Sequence, residues 1–247
     1  MLTAMKINGM SYEVSRRVNF SAMRFRSDHA PRAAFDFAWD MTFGNQGQHR
    51  NHRTGGVARR GNGEIFANTL QGKLAEFAVC QELERFGISV TPDLSRDSLG
   101  KWDSFDIRVN GIEIAIKSTK RYGNLLLLET QDWTVEGDYL HHRESKGIDF
   151  LCLVRVDPSP EDLMRRARIL FNRTCNRALL ESVAGPEIEF TFQVVGQVSR
   201  SDLGMAVQER HVIPRGAMLN GHTRMDATNY YIQACDFKPI ESLRQLL

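Results

Sequence analysis

The sequence predicts an α/β protein, with helices packed on a mixed β-sheet in a sandwich. Three observations predict it. Residues 64–86 carry apolar side chains at helical spacing. Two alternating runs, 104–109 and 112–117, are joined by Asn110-Gly111, the strongest short-range hairpin signal. Residues 150–156, FLCLVRV, are apolar nearly throughout until Arg155 and read as a strand buried on both faces.

In chain order, residues 1–63 form an N-terminal basic segment, with ten Lys/Arg against four acids. Within it, residues 44–63 hold six glycines, four arginines, two histidines and no acid, a composition that disfavours helix and strand and predicts a basic loop. The domain proper covers 64–247. Its first helix places Phe66, Leu70, Leu74, Phe77, Ala78 and Leu83 on its apolar positions and stops at Gly87. ISVTP (88–92) is a short strand candidate. After the hairpin, residues 120–149 give no clear pattern. Residues 159–182 predict one helix with Pro160 near its start and a basic face of Arg165, Arg166, Arg168, Arg173 and Arg177. Residues 187–199 alternate as a strand, TNYYIQ (228–233) is an edge-strand candidate, and IESLRQLL closes the chain as a short helix.

Composition narrows the class. The 247 residues are 42% hydrophobic and 25% charged, ordinary for a globular protein, and a net charge of +2 demands no anionic partner by itself. Cys80, Cys152, Cys175 and Cys235 are far apart and form no CxxC pair, which argues against a zinc site or a disulfide framework. No apolar run approaches the roughly 18 residues of a membrane span, and no signal peptide opens the chain, so a cytoplasmic protein without a membrane partner is expected. His49 and His52 read as neighbours of phosphate or solvent, and the adjacent His141 and His142 diverge too much to share a metal.

The hairpin carries the chemistry. A two-residue turn sets Val109 opposite Ile112, Arg108 opposite Glu113, Ile107 opposite Ile114 and Asp106 opposite Ala115. Phe105, Ile107, Val109, Ile112, Ile114 and Ile116 then share the core face. Ser104, Asp106, Arg108, Glu113, Ala115 and Lys117 share the other. Alanine is out of place in that polar row. A glutamate at 115 would set two carboxylates side by side, able to share a divalent cation, with Lys117 one step along the same face. That set suits metal-assisted phosphodiester hydrolysis, in which the cation activates water and the lysine orients it. Glu113 lies opposite Arg108 and pairs with it more simply than with a cation. The bland alternative is a diagonal surface ion pair between Asp106 and Lys117, worth little. Asp93 and Asp97 remain possible outer ligands.

This pattern resembles the PD-(D/E)xK nuclease superfamily, over about residues 64–156. Asp106 matches the first acid, Lys117 the lysine, and Glu76 in QGKLAEF the glutamate of the preceding helix; Ala115 stands at the second acidic position. The resemblance implies a restriction-endonuclease-like αβββαβ core with FLCLVRV as its later strand, followed by C-terminal additions. It implies a Mg²⁺-dependent DNA endonuclease of the restriction or phage-defence kind, with Mn²⁺ as a possible substitute, cutting by in-line water attack to leave 5′-phosphate and 3′-hydroxyl ends. Asp106, Glu76 and the residue at 115 would hold the metal, and Lys117 would position the water. Arg50, Arg53, Arg59, Arg60, Lys73, Ser118, Lys120 and the basic helix are the candidate nucleic-acid contacts. A homodimer would suit double-strand cleavage.

Three readings of Ala115 compete: an engineered Glu-to-Ala change that silences cleavage, a naturally inactive nuclease fold that only binds, or a carboxylate supplied from elsewhere. The first leaves Asp106, Lys117 and Glu76 intact and is the expectation. A non-catalytic DNA-binding protein and an RNA-directed nuclease are the alternatives.

Overall fold

A computed structural model describes residues 1–44, 61–95, 105–140 and 147–246. The chain begins with three short strands, β1 (Lys6–Asn8), β2 (Ser11–Glu13) and β3 (Met23–Arg24), then two helices, α1 (His29–Thr42) and α2 (Asn62–Glu84). Next come β4 (Ile107–Val109), β5 (Ile112–Lys120), β6 (Leu125–Glu129), β7 (Phe150–Asp157), α3 (Pro160–Arg166) and α4 (Arg177–Ala184). The last part holds β8 (Thr191–Ser199), α5 (Arg200–Gln208), β9 (Val212–Ile213), β10 (Met218–Leu219), β11 (Thr223–Arg224) and β12 (Asn229–Gln233).

The mixed α/β expectation holds. The main sheet has the order β3-β8-β7-β5-β4; β5 and β7 are parallel and the other neighbours antiparallel. Helices α1 and α2 cover one face. There Phe35, Phe66, Leu70 and Leu74 pack with Ile114, Ile116, Cys152 and Val154 in the largest apolar cluster. The other face is covered too. The three-stranded sheet β6-β12-β9 and helix α5 bring Leu126, Trp133, Leu203 and Ile232 onto Ala115, Leu151 and Val198. A small sheet, β1-β2-β10-β11, closes a third cluster around Met5, Val14, Leu125, Ile213 and Tyr231.

The hairpin folds in the expected register, Ile107 with Ile114, Arg108 with Glu113 and Val109 with Ile112. Asn110 (φ 49°) and Gly111 (φ 83°) both take the left-handed conformation that a type I′ turn requires. Helix α2 ends at Glu84, and Gly87, with φ 83°, closes the turn that follows, where the sequence places the stop.

Several expectations are corrected. Residues 88–92 form no strand: Ile88 donates its amide to Leu83 O at the end of α2, and Ile88 and Val90 pack against the core with no strand partner among the described residues. The 159–182 helix is two helices. Arg168 adopts φ 60° just after α3, and Asn176 restarts the helix as the cap of α4, so the five arginines share no single face. The strand at 229–233 is the centre of its sheet, not an edge, with β6 and β9 on either side. The C-terminal helix is a 3₁₀ helix over Ile240–Gln245. Arg155 does not end the buried run of β7; it is fully buried. Its guanidinium donates to Gly123 O, Val18 O, Gln193 Oε1 and Asn124 Oδ1. The N-terminal basic segment contributes structure of its own, since α1 buries Ala34, Phe35 and Ala38 in the main cluster. Within the described residues, the connection between the parallel strands β5 and β7 carries strand β6 and a 3₁₀ turn over Thr130–Asp132.

Candidate metal and phosphodiester site at the edge of the hairpin

The pairing of β4 with β5 stops at Ile107–Ile114, one residue short of Asp106. The Asp106 amide still donates to Ile114 O (3.0 Å), and its carboxylate then turns onto the β5 edge and accepts from the Ile116 amide at 2.6 Å. A side-chain oxygen thus replaces the ladder partner that the next strand residue would offer. Asp106 is fixed beside Ile116, the residue between Ala115 and Lys117. Among the described residues, no strand pairs with this edge of β5 beyond that point.

Glu76 reaches the same place from α2. It is 7% exposed, and its carboxyl pKa is pushed up from 4.5 to about 8. Burial is the main cause, and the nearby Asp106 charge is the next; Lys73, whose Nζ lies 2.7 Å from Glu76 Oε2, opposes them without prevailing. At neutral pH Glu76 therefore keeps a proton in the absence of another cation. The Asp106 charge is also felt at Cys152, whose thiol is pushed up to about 12 by burial first and Asp106 second. The helix-borne and strand-borne acids are therefore brought together on the α2 side of the sheet. Asp93 stands further out, its carboxyl held below the ordinary value by bonds from Ser95.

Ala115 has a different setting from the one expected. The row that includes Glu113, Ala115 and Lys117 is not a solvent face along its whole length. Ala115 is 2% exposed and packs in the second apolar cluster with Leu126, Trp133 and Leu151. Glu113 is 4% exposed and is held by Arg108, as the register predicts. Along β5, the row emerges into solvent at Lys117. Lys117 lines a groove of about 570 Å³ between β5 and β6, with Asn68, Ser118, Glu129 and Asp226 around its rim and Ile116, Leu126 and Leu153 beneath.

The candidate phosphate contacts fare unequally. Ser118 lines the groove and receives a bond from Gln71 Nε2 at 3.3 Å. Lys73 is engaged by Glu76, by Asp93 O at 2.8 Å and by the Phe37 ring. Lys120 is committed to Asp162 at 2.7 Å and Glu161 at 3.2 Å. On the former basic helix, Arg165 pairs with Glu161, and Arg177 with Asp36 and Glu181. Arg50, Arg53, Arg59 and Arg60, together with His49, His52, Asp97, Ser104, His141 and His142, lie outside the described residues.

Sequence patterns gave no pointer to Asn68, Glu129 and Asp226, because nothing local marks them; tertiary packing alone carries them to the groove that Lys117 lines. The described residues contain no cluster of three or more His, Cys, Asp or Glu arranged to hold a metal ion, and no helix among them is long and apolar enough to cross a membrane. No family model, curated protein or solved structure matches this chain.

Proposed function

We propose that the chain is a divalent-cation-dependent DNA endonuclease of the restriction-endonuclease-like kind, with its strand-borne second acid absent. One observation carries the reading: a helix acid, Glu76, and a hairpin acid, Asp106, meet at the unpaired edge of β5 immediately before Lys117. Mg²⁺ is commonly held by one or two carboxylates, with water and substrate phosphate completing its shell. Glu76 and Asp106 fit that modest donor set, and a cation would stabilise the Glu76 charge that burial and Asp106 disfavour. When bound, the cation would supply charge neutralisation at the phosphate and a more acidic water. Asp106 is pre-positioned by the Ile116 amide. Glu76 has a proton to release on binding. Lys117, at the mouth of the groove, orients water or a phosphate oxygen for in-line attack, leaving 5′-phosphate and 3′-hydroxyl ends.

A second reading, a nuclease-like fold that binds without cutting, is favoured by the packing of Ala115 within an apolar cluster. The residue at that site is a good fit as alanine, with no polar partner required. The two readings part at one substitution. Ala115→Glu, whose carboxylate must leave the second apolar cluster and turn round the β5 edge to reach Asp106, should give Mg²⁺-dependent cleavage of DNA that EDTA stops, and adding Lys117→Ala should remove the gain. Incubation with duplex DNA, single-stranded DNA and RNA, read on gels, checks it. A folded Ala115→Glu protein that binds DNA and never cuts across varied sequences leaves the binding module; cleavage of RNA alone moves the substrate class.

A further inference from the structure

Among the described residues, two exposed arginines without an ion pair, Arg16 and Arg17, lie outside the basic loop and the basic helix that the sequence pattern marks. Residues 15–18 cross the chain as a strap between β2 and β3. The strap is held at both ends. Ser15 donates its amide to the buried Gln233 at 2.9 Å, and Val18 donates its own to Asn124 Oδ1 at 2.8 Å. Asn124 also accepts from the buried Arg155 (2.9 Å) and donates to Tyr122 O (3.2 Å). One buried side chain thus ties the strap to the turn at 121–124 that leaves β5. The turn is tight: a Cβ on Gly123 would lie 2.2 Å from Thr119 Oγ1.

Between those anchors, Arg16 and Arg17 point outward. Both are exposed and neither makes an ion pair among the described residues. On the turn tied to the strap, Tyr122 is 72% exposed, with the Arg121 guanidinium, itself paired with Asp157 at 3.2 Å, lying 4.7 Å from its ring centroid. Beneath lies Arg155, a fully buried guanidinium whose partners are all neutral oxygens, so its charge is not cancelled locally. A cation held this way adds to the positive potential of the surface above it.

We infer that the Arg16–Arg17 strap and Tyr122 form a docking surface for the phosphodiester backbone of a nucleic acid, feeding the groove at Lys117. Exposed arginines without acid partners attract phosphates, and an exposed aromatic ring stacks on an unpaired base whatever its identity. The surface adjoins the groove, because Thr119 and Leu125, on either side of the turn at 121–124, line it together with Lys117. The inference deepens the proposed function and rests on it for the identity of the anion.

The test is binding in EDTA, by fluorescence anisotropy of labelled single-stranded and duplex oligonucleotides over a range of salt. Arg16→Ala/Arg17→Ala should weaken binding at least tenfold and lower the slope of log K against log salt by about 1.5, the loss of two phosphate contacts. Tyr122→Ala should weaken single-strand binding by about tenfold and duplex binding less. A double variant with unchanged thermal melting, unchanged affinity and unchanged slope overturns the surface, as does a wild-type chain that binds no oligonucleotide. Loss of binding to phosphatidylserine vesicles, with oligonucleotide binding intact, overturns the choice of partner. An Ala115→Glu protein that never cuts, while the double variant loses binding, removes the nuclease reading and leaves this surface standing.

Discussion

The two faces of β5 are buried to similar depth and solve opposite problems. Toward α2, Ile114 and Ile116 sit in a large apolar cluster that also encloses Glu76, beside the Asp106 charge. Toward β6 and α5, Ala115 sits in a smaller cluster, and its buried neighbour Glu113 is neutralised by Arg108 at the hairpin rim. A cluster that is apolar around a paired acid is a stable core. One that encloses an acid next to another acid holds an electrostatic cost. Such a cost persists in folded proteins when the position serves something other than stability, and perturbed acids in this setting are candidate functional groups.

The comparison breaks first at Glu76. Its folded pKa of about 8 lies above the ordinary 4.5, so between those values the folded state holds a proton that the unfolded chain has released. Stability is therefore undiminished below about pH 4.5, falls as pH rises through that window, and carries the full penalty above pH 8. The penalty is on the order of 5 kcal/mol at most. Glu76→Gln should remove it: in EDTA, the variant should match wild type near pH 4 and exceed it near pH 9, in denaturant titrations at each pH. Parallel pH profiles would show that Asp106 and burial do not act on Glu76 as described.

The next effect is packing on the same face. Leu74 is fully buried under α2, and Leu74→Ala should cost about 2–5 kcal/mol, read as a shift in denaturant midpoint. The smallest is on the opposite face. Ala115→Leu adds bulk beneath Leu126 and Trp133, and overpacking should cost about 1–3 kcal/mol by the same measurement. A stabilised Ala115→Leu protein would mean that the second cluster has room at 115, and would strengthen the view that a larger side chain belongs there.

The elements that were legible in the sequence share a cause. Hairpin register follows from two turn residues and strict alternation, both local, so Arg108 and Glu113 fell into place from spacing alone. Helix α2 announced itself by its apolar spacing and by Gly87. The run at 150–156 was recognisable as a buried strand because it is apolar on both faces, and β7 indeed lies between β5 and β8. The long arginine-bearing helix is two helices in the structure because the spacing continues across 167–176 while the backbone does not: Arg168 takes a left-handed conformation and Asn176 caps a new helix.

By itself, then, the sequence determined the α/β class, the main helix, the hairpin with its register, and the set of candidate groups Glu76, Asp106 and Lys117, since each rests on contacts a few residues long or on periodicity within one element. Only the tertiary structure decided what those groups face. The cover over Ala115 comes from residues 126–133, 148, 198–206 and 232, too distant in sequence for any local pattern to announce. The turning of Asp106 onto the Ile116 amide depends on β4 ending one residue early. Which arginines remain unpaired was likewise a tertiary matter. An ion pair forms wherever folding brings an acid within reach, as it does for Arg165 and Arg177 and does not for Arg16 and Arg17 among the described residues.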